Sequence, residues 1–168
     1  MGLYIHGKTV NKDDWTFSYS RLHYTVRYLA LKYCGMPDNI GAKYNGEEKD
    51  SMAFYMNYYI HNNDVIDDEK MGQFIQAVQF SGKYFPNIML HSDCEGNYTK
   101  NGKCDPINKG WRNGNSKQLL KELKILLEDE DLKEMQDKHI INALKHVRIF
   151  YNIVKGELEE GTGHIIFG

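Results

Sequence analysis

The stretch SKQLLKELKILLEDEDLKEMQDKHIINALKHVRIFYNIVK (116–155) decides the fold class of this chain. Its leucine, isoleucine and valine residues recur every three or four positions, which is the spacing of one face of an α-helix. The pattern predicts two long amphipathic helices, over about 116–128 and about 132–155. The acidic run EDED (128–131) is expected to separate them and to place negative charge at the favourable N-terminal end of the second helix.

Three more helices are predicted upstream. The segment 16–33 carries apolar residues at helical spacing and is followed by the stop signal CGMP (34–37). The tyrosine-rich stretch 50–63 fits a helix with a polar cap, although its aromatic run would also fit a buried strand. The stretch 67–86 begins with acidic residues and is expected to close as a helix at Ser81-Gly82.

Short strands are predicted in three places. LYIHG (3–7) alternates apolar and polar residues, NIMLH (87–91) is an apolar run behind a proline, and GTGHIIFG (161–168) is an apolar tail. The segment 92–115 is polar and glycine-rich, and is predicted to be a long mobile loop. The sequence therefore predicts a single α+β domain over 1–168, predominantly helical, with a small sheet of short strands.

The composition restricts the classes of function. The 168 residues carry 21 lysine and arginine residues against 23 acidic ones, a formal net charge of −2. General nucleic-acid binding is not expected, because no global positive field gathers phosphates. No membrane association is expected, because no apolar stretch approaches the about 20 residues that span a bilayer. An odd number of cysteines and no apolar export segment predict a cytoplasmic location.

The first candidate site is the segment LHSDCEGN (90–97), at the end of a predicted strand. Polar side chains at such strand ends commonly line binding sites. The predicted ligand-binding residues here are His91, Ser92, Asp93 and Glu95. The alternative is that these residues form a turn, with their side chains bonding the local backbone.

Three specific chemistries can be compared with this spacing. A calcium loop that starts at Asp93 would need glycine where Tyr98 stands and glutamate where Cys104 stands. A zinc site formed by His91, Cys94 and Cys104 lacks a second close pair of ligands. A Cys94 nucleophile with His91 as its base lacks an identifiable orienting partner. No catalytic residue, metal or cofactor is therefore predicted.

The second candidate site is the helix predicted over 16–33. If its apolar residues face the core, its polar residues share a neighbouring face and flank. Guanidinium groups bind phosphate bidentately and tyrosine rings stack on planar groups, so this face suits an anionic or nucleotide-like ligand. A solvated helix face is the alternative. The predicted ligand-binding residues are Ser20, Arg21, His23, Tyr24 and Arg27.

Two further residues, Trp111 and Arg112, lie in the segment NKGWRNGNS (108–116). They are predicted to form a flap over the ligand, although an exposed tryptophan would equally suit a protein contact. No P-loop, dinucleotide-binding glycine fingerprint, HExxH or GxSxG pattern occurs, so the familiar enzyme classes are not indicated.

The motifs SYSRLHYTVRYLA (18–30) and HSDCEG (91–96), followed by LLKEL (119–123), resemble a family of small uncharacterised proteins of low-GC bacteria and their phages. Those proteins pair an SYS-type helix with an HSDC(D/E)G-type strand end. The preference for lysine over arginine, with many asparagines and tyrosines, is typical of AT-rich genomes. The resemblance implies a phage or mobile-element origin and brings no established activity with it.

These observations predict a non-enzymatic protein that sequesters an anionic or nucleotide-like small molecule, such as a host immune signal. In this hypothesis the two candidate sites converge in one hollow. One alternative is an anti-defence protein that inhibits a host nuclease through aromatic residues, which would equally suit a homo-oligomer interface. Another is a metal-dependent hydrolase that uses the histidine and acids of 91–95. The aromatic anchors of the first alternative would be Tyr55, Tyr58, Tyr59 and Trp111.

Overall fold

The computed structural model describes residues 5–10, 19–42, 49–61, 69–90, 96–103 and 112–167, with only the backbone given for residue 6 and for 19–23. The elements in these ranges are β1 (Ile5–Gly7), α1 (Tyr19–Tyr33), α2 (Met52–His61), α3 (Glu69–Tyr84), β2 (Gly96–Thr99), β3 (Arg112–Asn115), α4 (Ser116–Glu128), α5 (Glu130–Glu134), α6 (Lys138–Glu160) and β4 (Ile165–Phe167).

The core is centred on α6, which packs against both α1 and α4. The facing stripes of these helices are fully buried, as the spacing of their apolar residues predicts. Each leucine-sized side chain removed from water stabilises the fold by about 1.5–3 kcal/mol. The buried residues of these stripes are Val26, Leu29, Leu119, Leu123, Leu126, Ala143, Val147 and Val154.

The segment between α4 and α6 contains two helix caps. The Asp129 side chain accepts a hydrogen bond from the backbone N–H of Leu132 (2.8 Å), and Asp137 accepts one from His139 (2.7 Å). Each cap satisfies an N–H group that has no partner within its own helix. The second predicted helix is therefore two helices, α5 and α6, and the second of these continues to Glu160.

The predicted end of α3 at Ser81-Gly82 is wrong, because the helix continues to Tyr84. Ser81 is buried within it, and the exposed Gly82 has no atom within 4 Å of the place a Cβ would occupy. A glycine on an exposed helix face weakens the helix by about 1 kcal/mol without ending it.

The four strands form one mixed sheet in the order β1-β4-β2-β3. β4 is antiparallel to both of its neighbours, whereas β2 and β3 run parallel. The fold is thus α+β and predominantly helical with a small sheet, as the sequence predicted. None of the helices in the described ranges combines the length and apolar character that a membrane span requires.

One strand prediction and one loop prediction are wrong. The apolar run NIMLH is not a strand within 87–90, because Pro86 to Leu90 form turns and the N–H of Met89 donates to the carbonyl of Phe85 (2.9 Å). The segment 92–115 is not one irregular loop, because it contains β2 and β3. Those strands have the sequences GNYT and RNGN, whose apolar content is too low for a periodic signal.

A buried carboxylate attaches the residues after β1 to α6. Glu157 accepts hydrogen bonds from the backbone N–H groups of Thr9 and Val10, both at 2.6 Å, and from the Thr9 hydroxyl at 2.8 Å. A Cβ on Gly7 would lie 2.5 Å from the Glu157 carboxylate, so glycine is required for this close approach.

The glycine of the HSDCEG motif has a packing role. A Cβ on Gly96 would lie 2.0 Å from the Phe167 ring and 2.8 Å from the Arg112 carbonyl oxygen. Phe167 is fully buried, so its ring cannot move into solvent without losing that burial.

We expect Gly96→Ala to lower the free energy of unfolding by about 1–3 kcal/mol, because the added methyl group overlaps the Phe167 ring. Gly72→Ala is the matched control, since Gly72 is exposed on α3 and has open space around it. That change should be neutral or stabilise by up to about 1 kcal/mol. Urea denaturation measures both variants, and equal effects would contradict this account of the motif.

Candidate functional site

The first helix meets the chain directly before the HSDCEG motif. The Arg27 guanidinium on α1 donates hydrogen bonds to the carbonyl oxygens of Met89 (3.0 Å) and Leu90 (2.7 Å). Leu90 is bonded to His91, the first residue of the motif. The contact therefore joins the first candidate segment to the second.

The strand register brings a second predicted residue to the other end of the motif. β2 and β3 are parallel, and Gly96 is paired with Arg112. Leu90 and Gly96 are six residues apart, so their Cα atoms are separated by at most about 22 Å. We call the region defined by Arg27, Leu90, Gly96 and Arg112 the sheet-edge site.

The turn that ends at Leu90 is fixed by Glu122 of α4, whose side chain is fully buried. The Glu122 carboxylate accepts hydrogen bonds from the backbone N–H of Asn87 (3.1 Å), from the Asn87 side-chain amide (2.9 Å) and from the backbone N–H of Ile88 (2.9 Å). We call Glu122, Asn87 and Ile88 the Glu122 clamp. It holds the turn to α4 three residues before the motif begins.

Asn87 also connects the clamp to the sheet. Its side-chain oxygen accepts a hydrogen bond from the Asn115 backbone N–H (2.8 Å), and its carbonyl accepts one from the Tyr98 hydroxyl (2.9 Å). A Cβ on Gly114 would lie 2.3 Å from the Tyr98 ring and 3.0 Å from the Asn87 side-chain oxygen, so the three residues are tightly packed. One asparagine thus joins α4, β2 and β3.

Burial raises the pKa of the Glu122 carboxyl above its ordinary value of 4.5. The hydrogen bonds from Asn87, Ile88 and Gln118 oppose this rise without cancelling it. Glu122 therefore binds more protons in the folded protein than in the unfolded chain. Its contribution to the free energy of unfolding falls as the pH rises from 4.5 through the raised pKa.

We expect Glu122→Gln to remove this pH dependence and to destabilise the protein by about 1–3 kcal/mol, because the new amide N–H group faces N–H donors. The stability difference between wild type and E122Q should be larger near about pH 5 than near about pH 8.

Urea denaturation at the two pH values measures this difference. Glu128→Gln is the matched control, because Glu128 is exposed on the same helix and forms a 3.7 Å surface ion pair with Lys124. Its effect should be small. A stability difference for E122Q that does not change with pH would contradict the assignment.

The predicted ligand residues fall into three groups. Tyr24 and Arg27 are half-buried on α1, and Arg112 is exposed on β3. The predicted position of Arg112 on a mobile loop is therefore wrong. For Ser20, Arg21 and His23 the structure gives only the helical backbone. His91, Ser92, Asp93, Glu95 and Trp111 lie outside the described residues.

Sequence reasoning identified Arg27 but missed the clamp residues that position its partner. One signal was present: Glu122 interrupts the apolar stripe of α4 between Leu119 and Leu126. An acidic residue at a core position of a helix needs hydrogen-bond donors from another part of the chain.

We expect Arg27→Ala to lower the free energy of unfolding by about 1.5–3 kcal/mol, because two backbone carbonyls lose a charged donor. Arg148→Ala, at an exposed position on α6, should change stability by less than about 0.5 kcal/mol. Thermal and urea denaturation of both variants measure this. Equal stabilities for the two variants would show that the Arg27 contact does not hold the turn.

The tyrosines proposed as anchors of a protein interface differ in their burial. Tyr55 is buried against Phe74, with ring centroids 5.5 Å apart, so it belongs to the core. Tyr58 is half-buried, and Tyr59 is 38% exposed.

The Cys34 thiol lies in the described part of the chain, between α1 and the residues that precede α2. Burial raises the pKa of the half-buried Cys34 thiol to about 11, which keeps it protonated at neutral pH. No group of three or more histidine, cysteine or acidic side chains in the described ranges is arranged to hold a metal ion.

No protein family, curated protein or solved structure that was compared with the chain matches it.

Proposed function

We propose that the protein is a non-enzymatic binding protein for an anionic or nucleotide-like small molecule, held at the sheet-edge site. The observation that supports this most is the contact of Arg27 with the carbonyl oxygens of Met89 and Leu90, which ties α1 to the two residues directly before the HSDCEG segment. A phage or mobile-element origin, with a host immune signal as the ligand, extends this proposal on the basis of the motif resemblance.

The two arginines would have different roles. Arg27 is half-buried and donates hydrogen bonds to two carbonyl oxygens, so it would hold the turn that ends at Leu90. Arg112 is exposed, and no ion pair with another described residue engages it. Its guanidinium could therefore form a bidentate pair with a phosphate or carboxylate group. The half-buried Tyr24 ring lies one helical turn from Arg27 and would add a surface for a planar group.

A screen of thermal stability against nucleotides and cyclic nucleotides tests the proposal. A ligand present at about 100 times its dissociation constant adds about 2.7 kcal/mol to the free energy of unfolding. We expect at least one compound to raise the melting temperature in a saturable manner. Unchanged melting curves for all compounds would contradict the proposal.

Arginine variants locate the binding. We expect Arg112→Ala to weaken nucleotide binding by about 10-fold to 100-fold, which corresponds to the loss of one charge-assisted contact of about 1.5–3 kcal/mol. Its melting temperature without ligand should stay close to that of wild type, because Arg112 is exposed. Arg148→Ala is the matched control and should bind normally. Isothermal titration calorimetry measures both, and equal affinities would exclude the sheet-edge site.

An exposed stack of aromatic rings favours a second candidate function, binding to a host protein. Phe80 is 52% exposed and Tyr84 43% exposed. Their rings stack with centroids 5.6 Å apart, and Tyr84 stacks on Tyr33 at 5.9 Å. Exposed aromatic residues of this kind are enriched at protein interfaces. For binding to a host protein, these residues replace the buried Tyr55 as anchors. Phe80→Ala should therefore weaken binding to that protein and leave nucleotide binding intact.

A further inference from the structure

A separate hollow of about 820 Å³ lies between α2, the first turns of α3 and the residues before α2. Its volume is within the range of small-molecule pockets, about 300–1,000 Å³. All of its lining residues belong to the described part of the chain. We call it the α2–α3 groove, defined by Phe54, Tyr58 and Gln73. It shares no lining residue with the sheet-edge site.

Tertiary contacts hold the walls of the groove in place. The N–H of Gly41 donates to the carbonyl of Asp50 (2.7 Å), and the N–H of Met52 donates to the carbonyl of Gly41 (2.8 Å). Lys70 of α3 forms an ion pair with Asp50 at 2.9 Å. Asp50, which precedes α2, is thus bonded both to Gly41 and to Lys70 of α3.

One wall is aromatic. Phe54 and Tyr58 lie one turn apart on α2, with ring centroids 6.3 Å apart. Both rings are half-buried, and the neighbouring Tyr55 is anchored in the core against Phe74. Half-buried rings at a groove wall present an apolar surface to a ligand that has an apolar face.

The polar groups of the groove balance in charge. Two lysines, Lys49 and Lys70, stand with two acids, Asp50 and Glu69, so the formal charge of the lining is zero. Neither a phosphate nor a cation gains a net attraction from such a lining. This balance distinguishes the groove from a nucleotide site.

The amides of Asn39 and Gln73 add uncharged polar groups to the lining. Each amide offers both donors and acceptors, the carboxylates offer acceptors, and the ammonium groups offer donors. Hydroxyl groups, which donate and accept at once, can use all three kinds of partner. A saccharide combines such hydroxyls at its edges with C–H groups on the faces of its ring.

We propose that the α2–α3 groove binds a neutral, hydroxyl-rich ring compound of the saccharide class. The proposal rests on the aromatic wall, the zero formal charge and the amide groups together. It is independent of the nucleotide-binding proposal, because the two sites share no residue and differ in the charge of the ligand they suit.

The test is a titration of ¹⁵N-labelled protein with glucose, N-acetylglucosamine and their β-1,4-linked trisaccharides, and with a nucleotide in parallel. At least one saccharide should shift the amide resonances of Tyr58 and Gln73 in a saturable manner, while the nucleotide leaves them unchanged. Absence of saturable shifts with every saccharide would overturn the proposal. Saturable nucleotide shifts at the groove would also overturn it.

Variants with matched controls locate the saccharide. Tyr58→Ala should weaken its binding at least tenfold, whereas Tyr59→Ala, one residue along α2 and outside the lining, should not. Because Tyr58 is half-buried, Gln73→Ala on the exposed face of α3 provides a variant with little effect on folding, and Gln76→Ala is its control. Equal binding by Q73A and Q76A, together with equal binding by Y58A and Y59A, would overturn the assignment.

Discussion

The buried carboxylate of Glu122 is the constraint on which the arrangement of the sheet and of the sheet-edge site depends. Removing a carboxylate from water costs several kcal/mol unless hydrogen bonds replace its hydration. Among the described residues its partners are N–H groups of Asn87, Ile88 and Gln118 rather than cations. Those donors come mainly from the turn at Asn87 and Ile88, so this turn must lie against α4. In that position Asn87 accepts hydrogen bonds from Tyr98 of β2 and Asn115 of β3, which fixes the two parallel strands to the helical layer.

Glu157 attaches the other edge of the sheet, strand β1, to the helical layer. Its buried carboxylate on α6 accepts hydrogen bonds from the backbone N–H groups of Thr9 and Val10, two and three residues after the end of β1. In both places a helix contributes an acidic acceptor, and an irregular segment contributes backbone donors that would otherwise lack partners. The strands are only three or four residues long, at the short end of the range found in globular proteins, and packing against helices is one way in which such a sheet gains stability. Helix-borne glutamates and aromatic packing therefore supply much of what holds this sheet in place.

The sequence predicted those parts of the fold whose causes are local. Leu119, Leu123 and Leu126 recur with the helical period, and α4 lies where that period placed it. The strands β2 and β3 could not be predicted, because their causes are distant contacts such as the Phe167 ring over Gly96. The NIMLH prediction was wrong for the same reason, since the turn at Asn87 is fixed by a residue 35 positions away. Of the candidate site, the residue types of Arg27 and Arg112 were visible in the sequence. The hydrogen bonds of Arg27 to backbone carbonyls could not be predicted, because no sequence pattern indicates such a contact.

Native-state hydrogen exchange of the Asn87 and Ile88 amides tests most directly whether a buried glutamate holds the turn that leads into the sheet-edge site. Amides in turns usually exchange quickly, because their hydrogen bonds open locally without unfolding the core. If Glu122 accepts both N–H groups, they should exchange nearly as slowly as the amide of Val147 in the core of α6. Rapid exchange of both amides in a protein whose Val147 amide stays protected would contradict the account.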